Sequence, residues 1–234
     1  GDLTVNRRAA QIIPSVQEKD YGDVHDLGDT AFTVVDRDGG ALPNGETVNT
    51  VTLVSENGID ASTDANVGTY ADNISVTPTS TGDSTITGSG NFNQDNYTFS
   101  YDTGDLTINL ANLTITGITG DNKVYDGTTD ATASGTPVLS GVVSDDDVVL
   151  GGTPVFTFAS AELGTDIQIT TTGFIITGAD SGNYTLIQPT FSGDITAKEL
   201  TITGITGGDK VYDDTTAASA SGTATLVGVE AGDD

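Results

Sequence analysis

The sequence predicts an all-β chain organised as a tandem array of β-sandwich domains with short linkers. Apolar residues alternate with Thr and Asn along strand-length runs, for example Leu106, Ile108 and Leu110, which is the period-two pattern of a half-buried strand. Clusters of Gly, Asp, Asn and Ser separate these runs at the spacing typical of all-β domains. No window of helical length shows a 3.6-residue apolar period.

A long internal repeat predicts more than one domain. Residues 113–142 (LTITGITGDNKVYDGTTDATASGTPVLSGV) align without a gap to residues 200–229 (LTITGITGGDKVYDDTTAASASGTATLVGV), at an offset of 87 residues. The sequences NYTF at 96–99 and NYTL at 183–186 have the same offset. A period of this length exceeds that of solenoid repeats and corresponds to a small domain.

The repeat sets the expected domain limits. We expect a first domain at 1–110, a second at 111–198, and the beginning of a third at 199–234. The joins are short: NLAN separates Ile108 from Leu113, and TAKE separates Ile195 from Leu200. Linkers of this length without Gly or Pro favour a stiff, end-to-end rod over a hinged pair.

The repeated KVYDGTT motif is typical of a turn. Gly127 supplies a positive φ, and the Asp126 carboxylate can accept hydrogen bonds from backbone amides just ahead of it. In the second copy Asp214 replaces the glycine, and Asp tolerates the left-handed region better than most residues. The predicted turn residues are Lys123, Tyr125, Asp126 and Gly127, with Lys210, Tyr212, Asp213 and Asp214 in the second copy.

The lysine of each turn motif has two interpretations. Lys123 and Lys210 can pair with a neighbouring Asp at the rim of the sandwich. Alternatively, each can form the covalent Lys–Asn link known from some surface adhesin domains. Loss of ammonia in an intact-mass measurement distinguishes the two.

Two segments favour an Ig-like topology. DSGNYTL at 180–186, and more loosely DANVGTY at 64–70, are similar to the tyrosine corner of Ig-like sandwiches. We therefore expect each domain to be an Ig-like β-sandwich.

Composition excludes several classes of function. Asp and Glu total 34 against 7 Lys and Arg, a formal net charge of −27, so the surface repels nucleic-acid phosphates. No apolar run is long enough to cross a membrane, so we expect no membrane insertion in this segment. Cysteine is absent, which excludes disulfides and thiol chemistry.

No pattern indicates catalysis or a cofactor other than calcium. His25 is the single histidine and is expected in a surface loop, and no Gly-x-Ser-x-Gly elbow is present. Adjacent carboxylates offer the oxygen ligands that calcium prefers, although a solvated acidic loop is the favoured explanation of them. The calcium candidates are Asp145, Asp146 and Asp147 in one loop, and Asp36 and Asp38 in another.

The combined pattern LTITG…KVYDGTTDATASG…GADSGNYTL resembles the YDG-type repeat of large bacterial surface and secreted proteins. The arrangement YGD…GTY…NYT…GDLTI in residues 1–110 is similar to the related YGX-type repeat. The resemblance implies a non-catalytic stalk or spacer module of a long extracellular adhesin or fibre, at the cell surface or secreted. Its implied partners are neighbouring repeats of the same chain, other copies of itself, and surface or matrix polysaccharide.

Two other functions stay open for the same sequence. One is a fibre subunit that assembles by strand addition, and the other is a module that binds a glycan or a protein receptor. The segment 199–234 is relevant to the fibre-subunit alternative, because 36 residues are too few to form an independent core. If it is only part of a repeat, we expect it to lack a core of its own and to be poorly ordered. If it is ordered, we expect its missing half to come from elsewhere, most simply from another copy by strand addition.

Overall fold

A computed structural model of the chain describes residues 1–77 and 86–233. These residues fold mainly into β-strands, so the all-β prediction is confirmed. Helical structure in the described residues is limited to single 3-10 turns at Pro43–Gly45, Glu56–Gly58, Gln94–Asn96 and Ser181–Asn183. Within these ranges, no helix has the length and apolar character needed to cross a membrane.

The chain divides into two compact units. Unit 1 comprises Gly1–Leu113, Gly141–Val149 and Thr177–Thr185. Unit 2 comprises Thr114–Ser140, Leu150–Ile176 and Leu186–Asp234. Unit 1 therefore contains the first sequence repeat together with three short segments of the second, at 111–113, 141–149 and 177–185. The domain limits at 110 and 198 rest on sequence alignment alone and stay predictions.

Unit 1 is built from nine described strands in three sheets. The sheets have the orders β3-β1-β8, β2-β9-β6-β5 and β4-β7. The β1–β8 and β2–β9 pairs are parallel, and the other pairs are antiparallel. The strands are β1 (Arg8–Pro14), β2 (Gln17–Asp20), β3 (Phe32–Asp36), β4 (Thr47–Thr50), β5 (Thr52–Ser55), β6 (Gly68–Thr77), β7 (Thr87–Ser89), β8 (Tyr97–Tyr101) and β9 (Gly104–Asn109).

The core of unit 1 contains side chains from two of these sheets. Ile12 of β1 clusters with Ile74 of β6 and Leu106 of β9, and each of the three is fully buried. Along β9, Leu106 and Ile108 are buried while Asn109 is exposed. The period-two pattern therefore has the expected physical basis, because alternate side chains of a strand point to opposite faces.

The remaining strands form three further sheets. Their orders are β13-β10-β16, β11-β17-β15-β14-β12 and β18-β19. The strands are β10 (Ala111–Gly120), β11 (Lys123–Val124), β12 (Asp130–Ala131), β13 (Ala133–Ser140), β14 (Val149–Phe158), β15 (Gly164–Thr177), β16 (Tyr184–Leu186), β17 (Thr190–Thr196), β18 (Thr201–Gly207) and β19 (Ala220–Val227). In unit 2, Phe158, Ile169 and Ile195 form a buried cluster on the five-stranded sheet.

The first two repeats share one strand layout. In each, the first long strand (β1 or β10) lies between an antiparallel partner and the strand that begins with the tyrosine of the NYT sequence (β8 or β16). In each, the strand that leads to the turn motif (β2 or β11) pairs in parallel with the last strand (β9 or β17). The layout holds although the two repeats have little sequence in common outside the motifs.

A β-bulge interrupts β10. The register with β13 shifts between Thr116 and Ile118. Gly117 lies at the shift with a φ of 79°, and Gly135 lies opposite with a φ of 112°. A Cβ atom on Gly135 would be 2.2 Å from the Gly117 carbonyl oxygen. Both glycines are needed because no other residue fits this backbone geometry.

Candidate functional site

Each turn motif is organised around the lysine two residues before its tyrosine. In the second repeat, the Lys123 ammonium donates to Thr128 O at 2.7 Å, Asp130 O at 3.0 Å and Asp126 Oδ1 at 2.7 Å. In the third repeat, Lys210 donates to the backbone oxygens of Thr215 and Ala217, both at 2.8 Å. An ammonium group has three donors, so these contacts occupy it fully.

The matching lysine of the first repeat is also bound by carbonyl oxygens, mainly from a loop about 40 residues further on, which the sequence analysis missed. Lys19 stands two residues before Tyr21, and its ammonium donates to Ile59 O at 2.7 Å and to the backbone oxygens of Asp60 and Ser62. Lys19 is buried, and the resulting desolvation lowers its pKa. The signal was available, since three of the four lysines in the chain occupy the Lys-x-Tyr position.

In the second and third repeats, the aspartate that follows the turn tyrosine closes the turn. Asp126 Oδ1 accepts from the backbone N–H of Thr128 at 3.0 Å and from its hydroxyl at 2.9 Å. The hydrogen bond from Lys123, followed by those from Thr128, lowers the pKa of Asp126 to about 2. Gly127 has a φ of 74°, and Asp214 has a φ of 61° at the matching position. The turn thus has the backbone conformation that the sequence predicts.

The partners of Lys123 and Lys210 bear on the Lys–Asn interpretation. The ammonium contacts of both lysines are to carboxylate, hydroxyl and backbone carbonyl oxygens. No asparagine is among these partners in the described ranges. The geometry supports the non-covalent interpretation, an Asp contact reinforced by carbonyl oxygens.

A second set of contacts involves the turn tyrosine of the first repeat. The Tyr21 hydroxyl donates to Asp146 Oδ2 at 2.9 Å, and the Tyr184 hydroxyl donates to the same oxygen at 2.5 Å. The two rings pack edge to face with centroids 5.3 Å apart. We call Tyr21, Asp146 and Tyr184 the tyrosine clamp; all three residues belong to unit 1.

The clamp is buried and tightly packed. Tyr21 is 4% exposed and Tyr184 is 5% exposed. Burial, together with the Asp146 carboxylate, raises the pKa of Tyr184 to about 12 and that of Tyr21 further. A Cβ atom on Gly22 would be 2.5 Å from Cγ2 of Val143, so only glycine fits beside Tyr21.

The clamp joins consecutive sequence repeats. Tyr21 belongs to the turn motif of the first repeat, whereas Asp146 and Tyr184 belong to the second. The Tyr184 hydroxyl also accepts from the backbone N–H of Val143 at 2.9 Å. This differs from the tyrosine corner expected at 180–186, because the hydroxyl contacts a loop about 40 residues earlier. Tyr70 does contact nearby backbone, donating to Asn66 O at 2.7 Å.

Part of the clamp recurs one repeat further along the chain. The Tyr125 hydroxyl donates to Asp233 Oδ1 at 3.0 Å, within unit 2. Asp233 follows Asp146 by the same 87 residues that separate the repeats. Tyr125 is the turn tyrosine of the second repeat and Asp233 belongs to the third. A turn tyrosine therefore contacts an aspartate of the following repeat at both junctions.

A related contact occurs in the first repeat. Tyr97, the tyrosine of NYTF, donates its hydroxyl to Glu46 Oε2 at 2.5 Å. It is buried, and burial, with Glu46 beside it, raises its pKa to about 12. The NYT tyrosines of both complete repeats thus donate to a carboxylate of their own repeat.

The calcium candidates do not converge on one point. Asp36 is buried and paired with Arg8, and Asp38 is paired with Arg8 and Arg37. Asp147 accepts from the backbone N–H of Ala179 at 3.3 Å. Among the described residues, no group of three or more acidic or histidine side chains is arranged to hold a metal ion.

The acidic loop 145–147 therefore has protein partners instead. Asp146 accepts from the two clamp tyrosines. Asp145 adopts a φ of 73° in the turn beside it. The calcium hypothesis stays a prediction, because the described residues do not place three or more candidate ligands together.

The single histidine lies away from the clamp contacts. His25 Nε2 is 2.8 Å from Gln17 Oε1, and the residue is half-buried. No serine or acidic partner of its ring nitrogens is found in the described part of the chain. The side chain therefore contributes a local hydrogen bond to β2.

Comparison with known proteins identifies one part of the chain. The sequence model of the YDG domain family matches residues 109–192. Neither the curated proteins nor the solved structures contain a match to the chain. The matched segment includes the second turn motif, Asp146 and Tyr184. The chain therefore contains a YDG domain at residues 109–192.

Proposed function

We propose that this chain is a stretch of the stalk of a long extracellular bacterial adhesin or fibre, where it acts as a non-catalytic spacer. The observation that carries the proposal is the tyrosine–aspartate contact between consecutive repeats, present at Tyr21–Asp146 and again at Tyr125–Asp233. A spacer needs a similar junction at every repeat, and Asp146 and Asp233, which are 87 residues apart, each accept from the turn tyrosine of the preceding repeat.

The location and the Ig-like form of the sandwiches are the other parts of the proposal, and each has its own support. The YDG domain at 109–192 supports a location at the cell surface or in secreted material. The Ig-like form of each sandwich is supported by the packing of Ile12 against Leu106 from two sheets, and by the Tyr70–Asn66 bond. No described feature favours the alternative of a glycan-binding or receptor-binding module.

Mechanical unfolding of single molecules tests the spacer function. We expect a chain held at both ends to unfold in force peaks, and one complete repeat of 87 residues to release about 300 Å of extended chain. A chain that extends without force peaks cannot hold a binding region away from a cell under load, and that result contradicts the proposal.

The clamp is tested by Tyr21→Phe with Tyr70→Phe as the matched control. Each change removes one hydroxyl, but the Tyr21 hydroxyl contacts the following repeat whereas the Tyr70 hydroxyl contacts its own. Because a hydrogen bond to a charged group stabilises by about 1.5–3 kcal/mol, we expect Tyr21→Phe to make the first two repeats melt in separate calorimetric transitions. Tyr70→Phe should leave them coupled. If both variants show the same calorimetric transitions, the Tyr21 hydroxyl does not couple the unfolding of the two repeats.

A further inference from the structure

The tyrosine clamp holds two phenol rings in direct contact. The hydroxyls of Tyr21 and Tyr184 both donate to Asp146 Oδ2, at 2.9 Å and 2.5 Å, so they converge on one oxygen atom. The ring centroids are 5.3 Å apart and the ring planes meet at 78°. The hydroxyl-bearing ends of the two rings therefore lie side by side, together with the ring carbons next to each hydroxyl.

This pairing of tyrosines is specific to the clamp. Of the ring contacts between described residues, only this one joins two tyrosines. Tyr97, for example, stacks on Phe92 and Phe99, with centroids 5.7 Å and 5.6 Å apart. Phenylalanine has no hydroxyl and does not form a phenoxyl radical. The clamp is therefore the place in the described chain where two readily oxidised rings meet.

Asp146 is positioned to take up the phenolic proton of either ring. Loss of an electron makes a phenol strongly acidic, and its proton then moves to the acceptor of its hydrogen bond. Asp146 Oδ2 is that acceptor for both Tyr21 and Tyr184. Asp146 itself is only half-buried, so its carboxylate can pass each proton on to water. One carboxylate thus both orients the two rings and removes their protons.

We propose that Tyr21 and Tyr184 are the site of a dityrosine cross-link between consecutive repeats. Two equivalents of a one-electron oxidant each remove one electron, one from each ring, and are themselves reduced. The phenolic protons leave through Asp146. The two phenoxyl radicals combine by forming one bond between the carbons next to their hydroxyls. The hydrogen on each of these carbons then moves to the oxygen, which restores both aromatic rings, and the product has lost two hydrogen atoms overall.

Burial of the clamp determines which reagents can act on it. Tyr21 is 4% exposed and Tyr184 is 5% exposed, so the oxidant has to accept an electron across a short distance without binding the ring. The net charge of −27 draws a cationic oxidant to the surface. Burial also keeps rings of other copies away, so the link forms within one chain. A link between residues this distant in sequence restricts the unfolded chain and stabilises the folded one.

Photo-oxidation of the whole 234-residue chain tests the cross-link. The oxidant is tris(bipyridine)ruthenium(III), generated by light with persulfate as electron acceptor, and the monomer is isolated afterwards to remove links between copies. We expect dityrosine fluorescence, a mass lower by two hydrogen atoms, and a linked peptide pair that contains Tyr21 and Tyr184. A monomer without dityrosine, or with the link only at another pair of tyrosines, overturns the proposal.

Tyr97→Phe is the matched control for the clamp variants. Tyr97 is also buried and also donates to a carboxylate, that of Glu46, but its ring neighbours are phenylalanines. We expect Tyr21→Phe and Tyr184→Phe each to abolish the dityrosine of the monomer, and Tyr97→Phe to retain it. Equal loss in all three variants, or retention in Tyr21→Phe, overturns the proposal.

Oxidation of the natural chain in urea checks that the folded clamp directs the coupling. Unfolding separates the two rings, so we expect a mixture of tyrosine pairs in place of the single pair. The Tyr21–Tyr184 pair forming with the same yield in urea contradicts a role of the clamp geometry.

Failure of this inference is distinguishable from failure of the proposed function, although both rest on the Tyr21–Asp146 contact. The calorimetric transitions of Tyr21→Phe report that contact without any oxidation. If this variant uncouples the repeats but the natural chain forms no dityrosine at Tyr21 and Tyr184, the cross-link is wrong and the spacer proposal stands.

Discussion

Two hairpins of this chain have nearly the same sequence and very different surroundings. β10–β13 and β18–β19 are offset by 87 residues, and their strand registers match pair for pair. Both contain the same bulge, at Gly117 with a φ of 79° and at Gly204 with a φ of 79°. However, Leu113 is fully buried, whereas Leu200 is 45% exposed. Every residue of β18 and β19 is exposed.

This comparison distinguishes the features that the residues of the hairpin determine themselves from the features that depend on contacts outside the hairpin. Register, bulge and turn recur in β18–β19, so they depend on nearby residues such as the glycine pair and the lysine-centred turn. Burial does not recur in β18–β19, so it depends on contacts outside the hairpin. The strands β18 and β19 are thus paired with each other while their residues are exposed. The two expectations for the segment 199–234 stay predictions.

The largest expected effect comes from truncating the equivalent leucines. Leu113→Ala should destabilise its repeat by about 2–5 kcal/mol, because it leaves a cavity in a packed core. Leu200→Ala, the matched change on the exposed hairpin, should shift the unfolding free energy by less than about 1 kcal/mol. Urea unfolding of both variants measures the difference. Equal destabilisation would show that β18 is buried in solution.

A smaller effect is expected from the bulge glycines. Gly135→Ala and Gly222→Ala each place a Cβ atom about 2 Å from a carbonyl oxygen, at 2.2 Å and 2.1 Å. Both changes should break the local register, costing about 1–3 kcal/mol in strain. Of the two changes, only Gly135→Ala should lower the free energy of global unfolding, because the residues of β18 and β19 are exposed.

Amide hydrogen exchange should report both glycine changes. We expect faster exchange at Ile118 in the first variant and at Ile205 in the second. Unchanged exchange at Ile205 would show that the bulge of β18 is not determined locally.

The smallest expected effect is the acid response of the two turns. The hydrogen bond from Lys123 lowers the pKa of Asp126 to about 2, and the bond from Lys210 lowers the pKa of Asp213. A carboxylate whose pKa is lower in the folded state stabilises that state above its unfolded pKa of about 3.9. The stabilisation is lost as the pH falls from about 4 through about 2.

Titration of single-site variants checks that the turns lose stability as the pH falls. Asp126→Asn should flatten the loss of turn stability between pH 4 and pH 2, and Asp213→Asn should do so in the other hairpin. NMR titration of the Thr128 and Thr215 amides, which donate to these carboxylates, provides the local readout. An amide shift in the acid range that persists in the Asn variants contradicts the assignment.

The sequence predicted the parts of this molecule that depend on short-range pattern. Alternation along β9, the positive φ of Gly127 and the left-handed Asp214 follow from residue type and spacing. The bulge at Gly117 does not follow from period-two alternation; the sequence signal for it is a glycine inside a strand pattern.

The clamp could not be predicted in the same way, because its members are distant in sequence. Asp146 was considered as a calcium ligand on the basis of adjacent carboxylates, and the structure instead places it under two tyrosine hydroxyls. Tyr21 and Tyr184 are separated by more than 160 residues. The one sequence signal for the clamp is that Asp146 and Asp233 are separated by the 87-residue repeat offset. This signal cannot be interpreted until the residues that contact the two aspartates are known.

The lysine-centred turns also determine how a trypsin-like protease meets this chain. The chain has seven lysines and arginines, and three of them, Lys19, Lys123 and Lys210, have their ammonium groups bound to carbonyl oxygens. Cleavage after such a lysine requires the turn to open first, because the protease must bind the same ammonium group. The residues that shape the repeats therefore also remove three of the seven tryptic sites of the chain while it stays folded.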